Sequence, residues 1–500
     1  MRDAFPKLDR ALKLAPGEPA LWDLLGFCHA RMGSLEQSSA SHCKALPLSG
    51  DAPAVELFLN FFSSLRLLKR LDLGEEVLRR GLNRYPGHYR LAIEQAGIFT
   101  AYGRLDLARN TLEASLAASP GNPDLLFELG FNYERTNRLD EFDALVSRIG
   151  DPGDIPQLNL LKAWHLRRIG RLPEAAAILP KCNVPRAQAQ VEQMKAELAE
   201  QEDRIAEAFA HFAAMKANIL AQSIERDTDS YRTKVIEATR AMRSRSKSAT
   251  AFEGRMPAFV VGSPRSGTTL LDTLLGGHPD VVVAEELPMR ERIEEEFPGL
   301  ESSTDNDRVE AARRRYFEIA ELACGPIGER LLVDKHPLHT ATIPLLDRLF
   351  PGAPIVLVER HPCAVTLSCF TTPFQSNRSM RSYSTLEGSA LTYDALFGSF
   401  ARARELLPLN VHEIRYERMI VETQTELRAL LDFLGLEWTD AVLDHQASAA
   451  KRGQVNTASY AQIHQPLHTN AKERWRKFAA HIEPVMPILR PWIDRMGYEP

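Results

Sequence analysis

Five hundred residues, 44% apolar and 25% charged, exceed what one ordinary core holds and exclude a chain that is disordered from end to end. A net charge of −5 argues against a general nucleic-acid binder, and no run of about eighteen apolar residues is present to span a membrane. Cys28, Cys43, Cys182, Cys324, Cys363 and Cys369 lack disulfide-like or metal-like spacing, and MRDAFPKLDRALKLAP has no signal-peptide core, so free thiols in the cytoplasm are expected.

In chain order, the first half carries a period of about 34 residues, the length of a tetratricopeptide helix pair. Trp22, Leu25, Gly26 and His29 fill the positions of a W-x-x-L-G-x-x-Y signature, and Leu126, Leu129, Gly130 and Tyr133 fill them again. Gly74 and Ala108 stand where paired helices approach closely, and Pro86 and Pro120 where a pair ends. Gly33, Gly103, Asn137 and Gly170 mark the turns inside pairs, where tolerance of positive φ is useful. Repeats are expected at 19–52, 55–88, 89–122, 123–155 and 156–189, with ALKLAP before them resembling a repeat's closing half. Such arrays stack to bury their apolar faces and offer a concave surface to a peptide or protein, or simply prop a neighbouring domain. From 186 to 247 the spacing predicts a long helical stretch, ending in a basic, serine-rich linker, RAMRSRSKSA.

At Ala258 the pattern changes. FVVGSPRSGTT reads as a buried strand (Ala258–Val261), a small-residue turn (Gly262–Gly267) and a helix from Thr268, the geometry that aims backbone N–H groups at one anion. The glycine spacing fits a P-loop, yet Thr268 stands where the phosphate-clamping lysine belongs. Arg265 instead places a guanidinium in the loop, suited to a tetrahedral oxyanion, sulfate or phosphate alike. Further strands are expected before Glu285 and Glu286, over Leu331–Val333 before Lys335, over Ile355–Val358 before Arg360, and before Tyr416. Beside Glu285, and partly buried, Glu286 is expected to have a raised proton affinity. His336 is read either as a group titrating near neutrality or as a bystander. The polar segment 371–394 is expected to be a mobile cover over an acceptor.

PRSGTT, followed by HPDV and AEEL, resembles the sulfotransferases that use 3′-phosphoadenosine 5′-phosphosulfate (PAPS), among them the tetratricopeptide-linked bacterial type and the tyrosylprotein type. The resemblance covers about 200–500 and implies a metal-independent transfer of the sulfuryl group of PAPS to an acceptor hydroxyl. It implies that Arg265, Ser266, Gly267, Thr268 and Thr269 hold the 5′-phosphosulfate, that Glu286 is the general base and that Lys335 is the electrophilic catalyst. Arg360 with Ser368 matches the 3′-phosphate site, Tyr416 the residue lying against the nucleotide, Ser459 in TASYAQIHQP a sulfate-side catalytic contact, and Arg474 a basic nucleotide contact. Arg474 replaces a lysine of the tyrosylprotein enzymes, which keeps the charge but changes the geometry, and Gln465 replaces another, so the acceptor need not be the same. The expected architecture is an α-solenoid of tetratricopeptide repeats (1–189), a helical connector and linker (190–256), and a P-loop-like α/β sulfotransferase domain with a central parallel sheet (257–500). A protein or peptide acceptor or partner on the repeats is expected, with no nucleic acid and no metal. The competing readings are a P-loop kinase-like phosphotransferase and a nucleotide-binding scaffold.

Overall fold

Each predicted repeat folds as two packed helices: Pro19–Arg31 with Leu35–Leu48, Val55–Leu67 with Leu71–Arg84, Tyr89–Ala101 with Leu105–Ala118, Pro123–Arg135 with Leu139–Ile149, and Pro156–Arg168 with Leu172–Ile178. The structure is a computed structural model and describes residues 4–136, 138–223, 225–244, 254–444, 448 and 473–499. ALKLAP lies at the end of a helix, Ala4–Leu14. Proline opens the helices at 19, 123 and 156, where a missing N–H costs nothing, and Asn122 accepts from the N–H groups of Asp124 and Leu125 at 3.0 and 3.1 Å. The signature glycines allow close packing: a Cβ on Gly130 would sit 2.2 Å from Leu161 Cδ1.

Gly33, Gly103 and Gly170 have φ of +79°, +70° and +80°; Asn137 lies outside the described residues. The same turn is made by Lys69 at φ +60° and by Asp203 at +58°, where no glycine signals it. Asp203 separates Gln188–Gln201 from Ile205–Ala221, so the expected long helical stretch is broken into a further pair with the repeats' own turn, followed by Ser230–Ala241. Lys69→Gly is expected to stabilise the repeats by about 0.5–1 kcal/mol, because the left-handed cost to a side chain exceeds the entropy glycine adds to the unfolded chain. A lower urea midpoint for the variant would refute this.

The chain divides into two compact units, Met1–Asn183 and Val184–Pro500, so the connector helices belong to the second. That unit is built on five parallel strands, β1 (Ala258–Gly262), β2 (Val281–Glu285), β3 (Leu331–Lys335), β4 (Pro354–Glu359) and β5 (Asn410–Arg415), ordered β2-β3-β1-β4-β5. Alternation along buried strands feeds two layers: Phe259, Val261, Ile355 and Leu357 pack into one, and Val260, Val356, Val358 and Ile414 into the other. Burying each such side chain stabilises the fold by about 1.5–3 kcal/mol. From β1 the chain leads towards β2, and from β4 towards β5, so the carboxyl ends of β1 and β4 mark the topological switch point, the usual ligand position in open α/β sheets.

The segment 371–394 is not the mobile cover expected of its polar composition. It holds a turn of helix at Met380–Tyr383, in which Arg381, Ser382 and Tyr383 are buried, and the start of the long helix Leu386–Leu406. Arg381 explains the order, donating to the Asp227 carbonyl at 3.0 Å and to Glu225 at 2.8 Å. All six cysteines are free thiols. Among the described residues no helix is long and apolar enough to cross a membrane.

Candidate active site

The loop after β1 turns on two left-handed residues, Arg265 at φ +69° and Gly267 at +106°. A Cβ on Gly267 would lie 2.4 Å from the Tyr416 ring, and one on Gly262 would lie 2.8 Å from the Val358 carbonyl oxygen, so both positions exclude a side chain. Ser266 is fully buried and its Oγ has no hydrogen-bond partner among the described residues, a donor suited to an anion. Thr268 and Thr269 open the buried helix Thr268–Leu275.

Four of the predicted nucleotide residues meet around this loop. Arg265 Nε donates to Ser368 Oγ at 3.1 Å, Arg360 Nη1 donates to the Arg265 carbonyl at 3.0 Å, and the Arg360 guanidinium covers the Tyr416 ring at 4.4 Å. Burial, then the charge of Arg360, pushes Arg265 down to about 10, which marks a place that gains from added negative charge. Ser368 rides on Pro362–Thr371, whose far end is clasped by the buried Lys216, donating to the carbonyls of Cys369 and Thr372 at 3.0 and 2.7 Å. Arg474 reaches the same helix end. Its Nε and Nη2 bind Glu200 at 2.6 and 2.7 Å and its Nη1 donates to Thr371 Oγ1 at 3.0 Å, so the fork expected to contact nucleotide is engaged by protein groups and acts on Arg265 through its charge. Ser459 lies outside the described residues.

The second cluster sits at the carboxyl ends of β2 and β3. Glu285 faces Lys335 in the strand register, and the Glu286 N–H donates to the Lys335 carbonyl at 2.8 Å. Glu286 is itself left-handed, at φ +48°, a conformation a glutamate adopts only where its surroundings compel it. Lys335 is wholly buried, which excludes an exposed surface lysine, and its Nζ lies 2.8 Å from Glu286, 3.3 Å from Glu285 and 3.3 Å from Asp272. Burial opposes its charge, yet Glu286, Asp272 and Glu285 hold the ammonium well above the ordinary lysine value. Asp272 belongs to the helix of the anion loop, so this ion pair ties the two clusters together along one edge of the sheet.

One expectation is corrected here, and of the two readings of His336 the titrating one is ruled out. Glu286 does not have a raised proton affinity: burial, the largest single influence, works in that direction, but Lys335 together with His336 and His339 outweighs it and holds the carboxyl below its ordinary range. His336 does not titrate near neutrality, because burial and then His339, stacked on it at 4.5 Å, hold it down at about 4. Asp334, one residue before Lys335 and therefore on the other face of β3, is bound to His339 at 3.1 Å and to the Tyr316 hydroxyl. Among the described residues no group of three or more His, Cys, Asp or Glu is arranged to hold a metal ion.

A strand, an arginine-bearing anion loop and a carboxylate–lysine pair at the neighbouring strand ends define a group-transfer α/β domain, here preceded by tetratricopeptide-type helix pairs. Residues 257–440 match the model of the sulfotransferase family. A protein of Aquifex aeolicus (strain VF5) described as uncharacterised is 23% identical over 441 residues, covering 84% of this chain and 53% of its own length. The chain thus spans about half the length of that curated relative. Protein-tyrosine sulfotransferase 1 of Danio rerio is 27% identical over 265 residues, covering 48% of this chain and 72% of its own. Among solved structures, the sulfotransferase domain from the curacin biosynthetic pathway aligns with a TM-score of 0.36 at 20% identity, over 49% of this chain and 99% of that one.

Proposed function

We propose that the chain transfers the sulfuryl group of PAPS to an acceptor hydroxyl by in-line displacement. What carries the reading is the alignment on one sheet edge of a two-arginine anion cradle with a buried lysine bound to a half-open glutamate. The donor supplies a sulfuryl group already activated on a 5′-phosphate. Arg265, Ser266 and the N–H groups of the loop through Gly267, Thr268 and Thr269 hold that end, and Arg360 with Ser368 takes the 3′-phosphate while Tyr416 packs on the nucleotide. Glu286 accepts the acceptor's proton, and Lys335 supplies positive charge where negative charge develops on the leaving oxygen. The resemblance adds Ser459 on the sulfate side and Arg474 near the nucleotide. A polypeptide acceptor or partner on the repeats and a reducing, cytoplasmic setting complete the proposal, the latter resting on the six free thiols.

The test is label transfer from PAPS, against ATP, to phenols, sugars and tyrosine peptides with and without EDTA. Sulfate transfer that survives chelation is expected; transfer solely from ATP with magnesium would favour the phosphotransferase instead. Arg360→Ala should weaken adenosine 3′,5′-bisphosphate about ten-fold or more relative to the 5′-monophosphate, one charge-assisted contact of about 1.5–3 kcal/mol being lost. Equal weakening of both, read by calorimetry, would place Arg360 elsewhere.

A further inference from the structure

Lys335 has three carboxylates and they are not equivalent. Glu286 is about one-third exposed, whereas Glu285 and Asp272 are interior, Asp272 wholly so. Asp272 is the one acid in an otherwise apolar and threonine-bearing helix, where every residue is buried. Its Oδ2 is 3.3 Å from Lys335 Nζ and its Oδ1 accepts from the Thr273 hydroxyl at 3.2 Å. In the transfer proposed above, the acceptor O–H bond breaks and its proton passes to a Glu286 carboxylate oxygen as the new O–S bond forms. The S–O bond to the 5′-phosphate breaks with its electron pair left on the phosphate oxygen. At that moment Glu286 becomes neutral and ceases to balance Lys335, just when Lys335 must be charged. A buried ammonium needs carboxylates that stay charged through that moment, and Asp272 and Glu285 are the two that face it.

We infer that Asp272 is a positioning residue of the transfer site, a fixed counter-ion that, beside Glu285, keeps Lys335 charged and in place while Glu286 turns to the acceptor. This rests on the sulfuryl-transfer reading. Being on the helix that begins at the anion loop, Asp272 also ties the position of the lysine to that of the loop. The groups facing Lys335 are Glu286, Asp272 and Glu285; those facing Glu286 are Lys335, His336 and His339. With Asp272 neutralised, Lys335 leans more heavily on Glu286, which becomes a weaker base with a lower pKa.

The experiment uses the full chain with Asp272→Asn, Lys335→Met and the double variant. In urea unfolding, Asp272→Asn and Lys335→Met should be strongly non-additive, the double variant being no less stable than Lys335→Met alone. In turnover with PAPS, Asp272→Asn should lose kcat about ten-fold or more, keep the PAPS KM within about three-fold, and move the acid limb of the pH profile to lower pH. A residue that merely packs would leave that limb in place. If Asp272→Asn does not fold, the double variant, with both charges gone, should; its failure overturns the assignment. Additive unfolding effects, or a wild-type kcat with an unmoved limb, overturn it as well. Should the wild-type protein itself transfer nothing from PAPS, the functional reading falls, and the unfolding cycle alone decides for or against Asp272.

Discussion

Glu286→Gln is expected to lower kcat by about 10²–10⁴-fold while PAPS still binds, since the amide keeps the shape of the side chain but cannot take a proton. The starting state makes this sharper. In the structure the carboxylate is held on Lys335 Nζ at 2.8 Å, below its ordinary proton affinity, so in the proposed transfer it becomes an effective base only when the acceptor draws it away. A depressed pKa keeps the carboxylate ionised to lower pH. The acid limb of kcat/KM for the free enzyme should therefore lie below the ordinary carboxylate range, and activity should fall only as pH drops through it. Single-turnover assays across pH, with binding followed by calorimetry, check both statements. Unchanged turnover in Glu286→Gln would remove this residue from the chemistry.

The second large effect is expected of Lys335→Met, which should cost about 3–5 kcal/mol of stability as well as about 10²-fold or more in kcat. The stability loss comes from what remains: Asp272 and Glu285 stay buried with their shared cation gone. Burying two carboxylates without a cation costs more while they are charged than once they are neutralised. That cost is relieved as protons are supplied, so the gap between variant and wild type should narrow on acidification. Urea midpoints at pH 5 and pH 8 measure it. A gap that widens at pH 5 would show that the carboxylates do not depend on Lys335.

Much of this was legible in the sequence, for identifiable reasons. Strands buried on both faces write themselves as short apolar runs, and all five expected strands occur within a few residues of their expected places, with Arg265, Glu286, Lys335 and Arg360 at their carboxyl ends. The helix pairs were equally plain, since a stacked repeat must restate its packing residues at a fixed period. What escaped was set by partners distant in the chain. Nothing near Asp272 announces that Lys335 will lie against it; the one hint was a lone acid amid leucines and threonines. Glu200 lies 274 residues from the arginine it binds, and Lys216 is 153 from the carbonyl of Cys369. The depressed proton affinity of Glu286 was missed for the same reason, because its neighbour in sequence is a carboxylate whereas its neighbour in space is an ammonium.

The left-handed backbone at Arg265 and Glu286 has a consequence for engineering. Glycine is the residue that both positions would accept most cheaply, and of the four side-chain-bearing residues with this geometry among those described, the other two, Lys69 and Asp203, lie in helix turns. Selection of variants for heat resistance alone should enrich glycine at all four sites. At the two turns that gain would be harmless. On the proposed mechanism, at positions 265 and 286 it would harvest well-folded but inert protein, so any thermostability campaign on this scaffold needs an activity screen in the same round.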